Sequence, residues 1–124
     1  MKLIIGAIIA VILTTVSGEN IYAHGSKDPK HGGIVQISHE LIFELVRGES
    51  EATLYIRDHD EPVDAQSYSG TVTVLSKGKK DNIDLMYVEG NKLSAAVAIP
   101  DGSKVLIKVK PGDHHSVTVR FSIE

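Results

Sequence analysis

The chain has 124 residues, a formal charge of -3 and no cysteine. That length leaves no room for two ordinary domains, and without thiols there can be neither a disulfide framework nor a thiolate metal site. The weakly acidic balance, with no basic run beyond the triplet Lys77, Lys79 and Lys80, argues against a nucleic-acid partner.

The first element is a targeting signal. Lys2 precedes the apolar run Leu3 to Leu13, and the small and polar residues Thr14, Thr15, Ser17 and Gly18 follow, which is the order of a secretory signal peptide over residues 1–23. An apolar run of about 11 residues is well short of the roughly 20 that span a bilayer, so no permanent membrane anchor is expected. Cleavage after Ala23 would make His24 the N-terminus; cleavage after Gly18 is the alternative. The expected location is periplasmic or secreted.

Residues 24–32 then read as a short, polar, histidine-containing flexible arm with Pro29 and the pair Gly32-Gly33 at its end. From 33 to 124 the apolar residues alternate with period two. Leu41, Phe43 and Leu45 share one parity, as do Ala52, Leu54 and Ile56, then Leu93, Ala95, Val97 and Ile99, then Val105, Ile107 and Val109, and finally Val117, Val119 and Phe121. Turn residues at Gly48-Glu49-Ser50, 76–82, Gly90-Asn91, Pro100-Asp101-Gly102 and Pro111-Gly112-Asp113 separate them. The predicted strands are 33–37, 39–47, 51–58, 71–76, 82–88, 92–99, 104–110 and 115–122. Seven to eight short strands at this spacing predict one all-β, antiparallel, immunoglobulin-like sandwich, with a small barrel as the alternative.

Chemistry concentrates in six histidines, His24, His31, His39, His59, His114 and His115, and in the carboxylates Asp58 and Asp60 that flank His59. If Arg47 faces Glu51 across the 48–50 turn, paired residue numbers sum to 98 and His39 falls opposite His59, close enough for two imidazoles to share an ion. Strands that reverse direction at every connection would gather His31, His39, His59, His114 and His115 at one end of the domain, within reach of His24 on the arm. Imidazole and carboxylate without thiolate suit Cu(II), Zn(II), Ni(II) or Co(II) rather than Cu(I). Taken singly, each of these histidines is also an ordinary surface residue, and the tyrosines are ordinary packing residues.

Several stretches carry a resemblance. His24-Gly25, Lys30-His31-Gly32-Gly33-Ile34-Val35, His39-Glu40 before Phe43-Glu44-Leu45-Val46, and Leu54 to Asp60 with Pro62-Val63 resemble small periplasmic proteins that accompany heavy-metal efflux systems. Gly70 to Ser76, Gly90 to Leu93 and Val117 to Phe121 continue the likeness across nearly the whole mature chain. A weaker similarity is to periplasmic β-sandwich copper carriers, although their Met-rich segments are missing. The resemblance implies a compartment and a theme: a non-catalytic protein that binds a divalent transition metal, with components of an efflux complex as partners. The alternative is an exported protein-interaction or adhesion domain whose histidines are incidental. A copper enzyme with an N-terminal histidine brace is a third, disfavoured because no nucleophile, base or cleft is evident in the sequence.

Overall fold

The computed structural model describes residues 27–124, so the signal peptide expected over 1–23 and His24 lie outside the described residues. Among the described residues there is no helix, and the chain is all-β and antiparallel as the alternation predicts. The strands are β1 (Ile34–Ser38), β2 (Leu41–Arg47), β3 (Ala52–Asp58), β4 (Glu61–Pro62), β5 (Tyr68–Ser76), β6 (Lys79–Glu89), β7 (Lys92–Ala95), β8 (Lys104–Pro111) and β9 (Val117–Ser122).

Pairing runs β1-β2-β3-β7-β6-β5-β8-β9, with β4 added beside β3. Two leaves result, and β6 belongs to both: residues 79–85 pair with β5, while Met86, Tyr87 and Glu89 pair with β7 across a bulge. The bulge lets one strand turn the corner between leaves by tightening its local twist. At the opposite side β1 approaches β9, where the Ser38 hydroxyl donates to the Thr118 carbonyl at 3.0 Å. The fold thus stands between the expected sandwich and the barrel held as its alternative.

Each leaf turns one parity inward. Phe43, Leu45, Leu54, Ile56 and Leu93 meet Val72, Val74, Ile107, Val109, Val119 and Phe121 in a single buried cluster. Strand 92–99 ends early, at Ala95, and β5 begins at Tyr68 rather than at 71. The two-residue β4 is absent from the predicted strands, since Asp60-Glu61-Pro62 has the composition of a turn and carries no alternation from which a strand could be predicted.

The register differs from the sequence expectation by one. Arg47 pairs with Ala52 and Leu41 with Asp58, so paired numbers sum to 99, not 98. The connection after β2 holds four residues, with the Gly48 amide donating to the Glu51 carbonyl at 2.7 Å. Consequently His39 does not face His59 along a strand. Both sit beyond the ladder, at the tips of two-residue turns.

Candidate functional site

Two places on the molecule hold the histidines. The first is the outer face of the leaf made by β1, β2, β3 and β7. Alternation puts Ile42 and Glu44 of β2 on this face, opposite Arg57 and Tyr55 of β3. An outward-facing glutamate would ordinarily be solvated, yet Glu44 is fully buried, as is Ile42, and Arg57 is nearly so. The cover is the arm itself. Backbone amides of Lys30, His31 and Gly33 donate to the Glu44 carboxylate at 2.9, 2.8 and 2.8 Å. The Arg57 guanidinium lies 3.8 Å from the same carboxylate and donates to the Asp28 carbonyl at 3.0 Å. Burial by itself would raise the Glu44 pKa, but the three amide donors and the nearby His31 outweigh it and hold the carboxyl below its ordinary value.

His31 belongs to this strap. Its ring stacks on Tyr55, with centroids 3.6 Å apart and planes 10° from parallel, and the Lys92 ammonium lies 6.0 Å from the Tyr55 ring on the same face. This corrects the placement of His31 among the end-of-domain residues: Gly32, at φ 75°, folds the arm back over the leaf instead of extending it beyond the strand ends. The arm read as flexible from its composition has anchors in Glu44 and Arg57, neither of which its own sequence reveals.

The second place is the end of the molecule where β1 and β3 finish and β9 begins. Leu41 opposite Asp58 puts the His39-Glu40 and His59-Asp60 turns side by side, and Ser38 against Thr118 brings the 112–116 turn, with His114 and His115, to the same end. Four of the histidines expected to gather here do so. They do not form a coordination sphere: among the described residues no group of three or more His, Cys, Asp or Glu is close enough to hold a metal ion.

The two turn-tip rings are nevertheless oriented. The Ser38 hydroxyl has one proton and donates it to the Thr118 carbonyl, so the 3.1 Å contact between Ser38 Oγ and His39 Nδ1 has the imidazole as donor. Asp58 Oδ1, a carboxylate acceptor, lies 2.7 Å from His59 Nδ1 and imposes the same tautomer. In that tautomer the lone pair is on Nε2, the nitrogen a metal would take. Asp58 thus orients an imidazole and Asp60 stands beside it in the exposed turn.

These tips are also strained. His39 (φ 51°), Glu40 (φ 69°) and His59 (φ 60°) adopt the left-handed region that L side chains avoid, in turns where Asn or Gly is the usual choice. The end is acidic as well. Tyr68 is pushed above its ordinary pKa by burial and then by the charges of Asp58 and Asp64. A shallow depression of about 580 Å³ opens there between Ser67, Tyr68, Pro111, Gly112, Asp113 and His114. Negative potential and oriented imidazole together favour a cation.

The strap was missed in the sequence because Glu44 looks like any solvent-facing position of an alternating strand; the pair Gly32-Gly33, which lets the arm return, is its one legible trace. Compared with protein-family models, with curated proteins and with solved structures, the chain matches none.

Proposed function

We propose that the protein is a non-catalytic binding protein for a divalent transition metal, exported to the periplasm or beyond and acting beside a metal efflux system. The observation that carries the reading is the tether on each of His39 and His59, two imidazoles at neighbouring turn tips whose Nδ1 atoms are tied to Ser38 and Asp58. Such tying of one ring nitrogen is how proteins pre-orient metal-ligating histidine. A third ligand would come from His114, His115 or the arm. An oxygen- and nitrogen-donor set of this kind suits Cu(II), Zn(II), Ni(II) or Co(II).

Calorimetric titration of the processed protein with Zn(II), Cu(II) and Ni(II) tests this. Saturable binding is expected, abolished in His39→Ala/His59→Ala and weakened about 10- to 100-fold in Asp58→Asn, which keeps the ligands but loosens one ring. No binding tighter than millimolar, or binding indifferent to these substitutions, overturns the reading. A companion measurement separates strain from function. His59→Gly relieves a left-handed residue and should stabilise the fold by about 1 kcal/mol while weakening metal binding; Lys77→Gly, at φ 51° in the β5-β6 turn, should give the same gain with metal binding untouched. Thermal unfolding with and without metal reads both.

One observation favours the interaction-domain reading. Met86, Tyr87 and Val88 are consecutive and exposed (63, 38 and 47%) where β6 crosses between leaves. Neighbouring strand residues normally alternate in burial, so three exposed apolar side chains in a row are a place for a partner. Concentration-dependent association lost in Met86→Lys, with metal binding absent, would put this reading first.

A further inference from the structure

The second leaf carries an outer face that no stretch of sequence displays. Inward parity on β5, β8 and β9 belongs to Val72 and Val74, to Val105, Ile107 and Val109, and to Val117, Val119 and Phe121. The alternate residues therefore point out, and the register lays them in rows. Lys80, Leu75, Lys104 and Ser122 form one; Asn82, Thr73, Leu106 and Arg120 the next; Asp84, Thr71, Lys108 and Thr118 the third; Ser69 and Lys110 begin a fourth. The Thr73 hydroxyl, 2.6 Å from Asn82 Oδ1, lies on this surface.

Five of the chain's 13 basic residues stand on this face, Lys80, Lys104, Lys108, Lys110 and Arg120, with Asp84 alone among its 16 acidic ones. All five are exposed, and among the described residues none is drawn into an ion pair. The direct cross-strand neighbours of each are Leu, Thr or Ser, so no two cations face one another and the repulsion that would destabilise such a leaf is diluted. On a protein whose net charge is negative, this is a segregated positive field.

The pattern also has an apolar floor. Leu75 is 46% exposed, and a depression of about 270 Å³ runs between Leu75, Leu106, Lys104, Arg120 and Ser122. We infer that this leaf docks on the surface of a phospholipid bilayer bearing anionic headgroups. A linear polyanion matches a row or a groove. Here the cations spread in two dimensions, about 4.8 Å per strand laterally and about 6.7 Å per two residues along β8, on an open sheet face. An exposed leucine among them suits the apolar layer just beneath lipid phosphates better than a fully hydrated polymer. The association is peripheral and electrostatic, and it is independent of the metal site at the end of the domain.

Sedimentation of the full chain with vesicles of phosphatidylcholine alone, and of phosphatidylcholine mixed with phosphatidylglycerol, tests the inference. Binding to the anionic vesicles only is expected, and it should fade in high salt. At about fivefold per charge lost near an anionic surface, Lys104→Ser/Lys108→Ser/Lys110→Ser should lower partitioning roughly a hundredfold, whereas the corresponding triple Lys→Arg variant retains it. Leu75→Ser should weaken what remains when salt screens the charges. Equal binding to both kinds of vesicle, as an apolar leader segment alone would produce, overturns the proposal. So does binding unchanged in the triple serine variant while its thermal unfolding matches the parent. Capture by heparin or duplex DNA without any vesicle binding also overturns it, and transfers the face to a different class of partner.

Discussion

Replacing Glu44 by alanine is expected to cost about 3 to 5 kcal/mol, the range seen when one member of a buried charge pair is removed. Three backbone amides lose their acceptor, and the nearly buried guanidinium of Arg57 loses the carboxylate beside it. Urea denaturation measures the loss, and faster tryptic cleavage at Lys27 and Lys30 reports release of the arm. Glu44→Gln keeps the volume and one acceptor oxygen, so about 2 kcal/mol is expected. The pair of variants also isolates a pH effect. Because the folded-state pKa of Glu44 lies below its ordinary value of 4.5, the stabilisation is fully present above about 4.5 and is lost as pH falls through the lower folded value. The stability difference between the parent and Glu44→Gln should therefore be constant from pH 7 down to about 5 and shrink in stronger acid. A difference that grew on acidification would mean that the carboxyl is held protonated and that the strap has another basis.

The second large effect concerns two adjacent glycines that differ in what surrounds them. A Cβ at Gly33 would collide with the Leu45 carbonyl oxygen and come within 2.9 Å of the Val46 side chain, so β1 would have to move off β2 where the strap joins it. Gly33 also donates to Glu44, so the displacement breaks the latch together with the first ladder contacts. Gly33→Ala is expected to cost about 3 kcal/mol, at the upper end for overpacking. At Gly32 a Cβ would meet nothing within 4 Å, and only the left-handed φ of 75° opposes a side chain. Gly32→Ala should cost about 1 kcal/mol, and Gly32→Asn less still, since asparagine tolerates that conformation. Equal losses at the two positions would show that backbone conformation, and not close approach to β2, governs the entry to the fold.

The strap and the histidine end meet at Arg57. Its guanidinium holds the Asp28 carbonyl, and the next two residues are the Asp58 that orients His59 and His59 itself. A metal ligand contributed by the arm would therefore depend on Glu44, although Glu44 touches no imidazole nitrogen. Weaker metal binding in Glu44→Gln, with the His39 and His59 turns intact, is the expected signature of that dependence.

Much of the molecule was legible in its residues. Alternation with period two is a property of each strand alone, so the parity sets of 41–45, 52–56, 105–109 and 117–121 identified strands and core before any contact was known. Reversal of direction at each short turn likewise gathered His39, His59, His114 and His115 at one end, because that inference needs only the order of strands. What required the tertiary structure was everything that depends on a neighbour from elsewhere in the chain. The register slipped from a sum of 98 to 99 because the hydrogen bond closing the 48–51 connection decides which residues face each other, and composition is nearly silent about it. Glu44 became a buried anchor because residues 28–33 fold back over an outward face, and basic residues scattered over three strands, β6, β8 and β9, became one surface because those strands join β5 in the second leaf. Local periodicity determines which way a side chain points; only packing decides what it meets there.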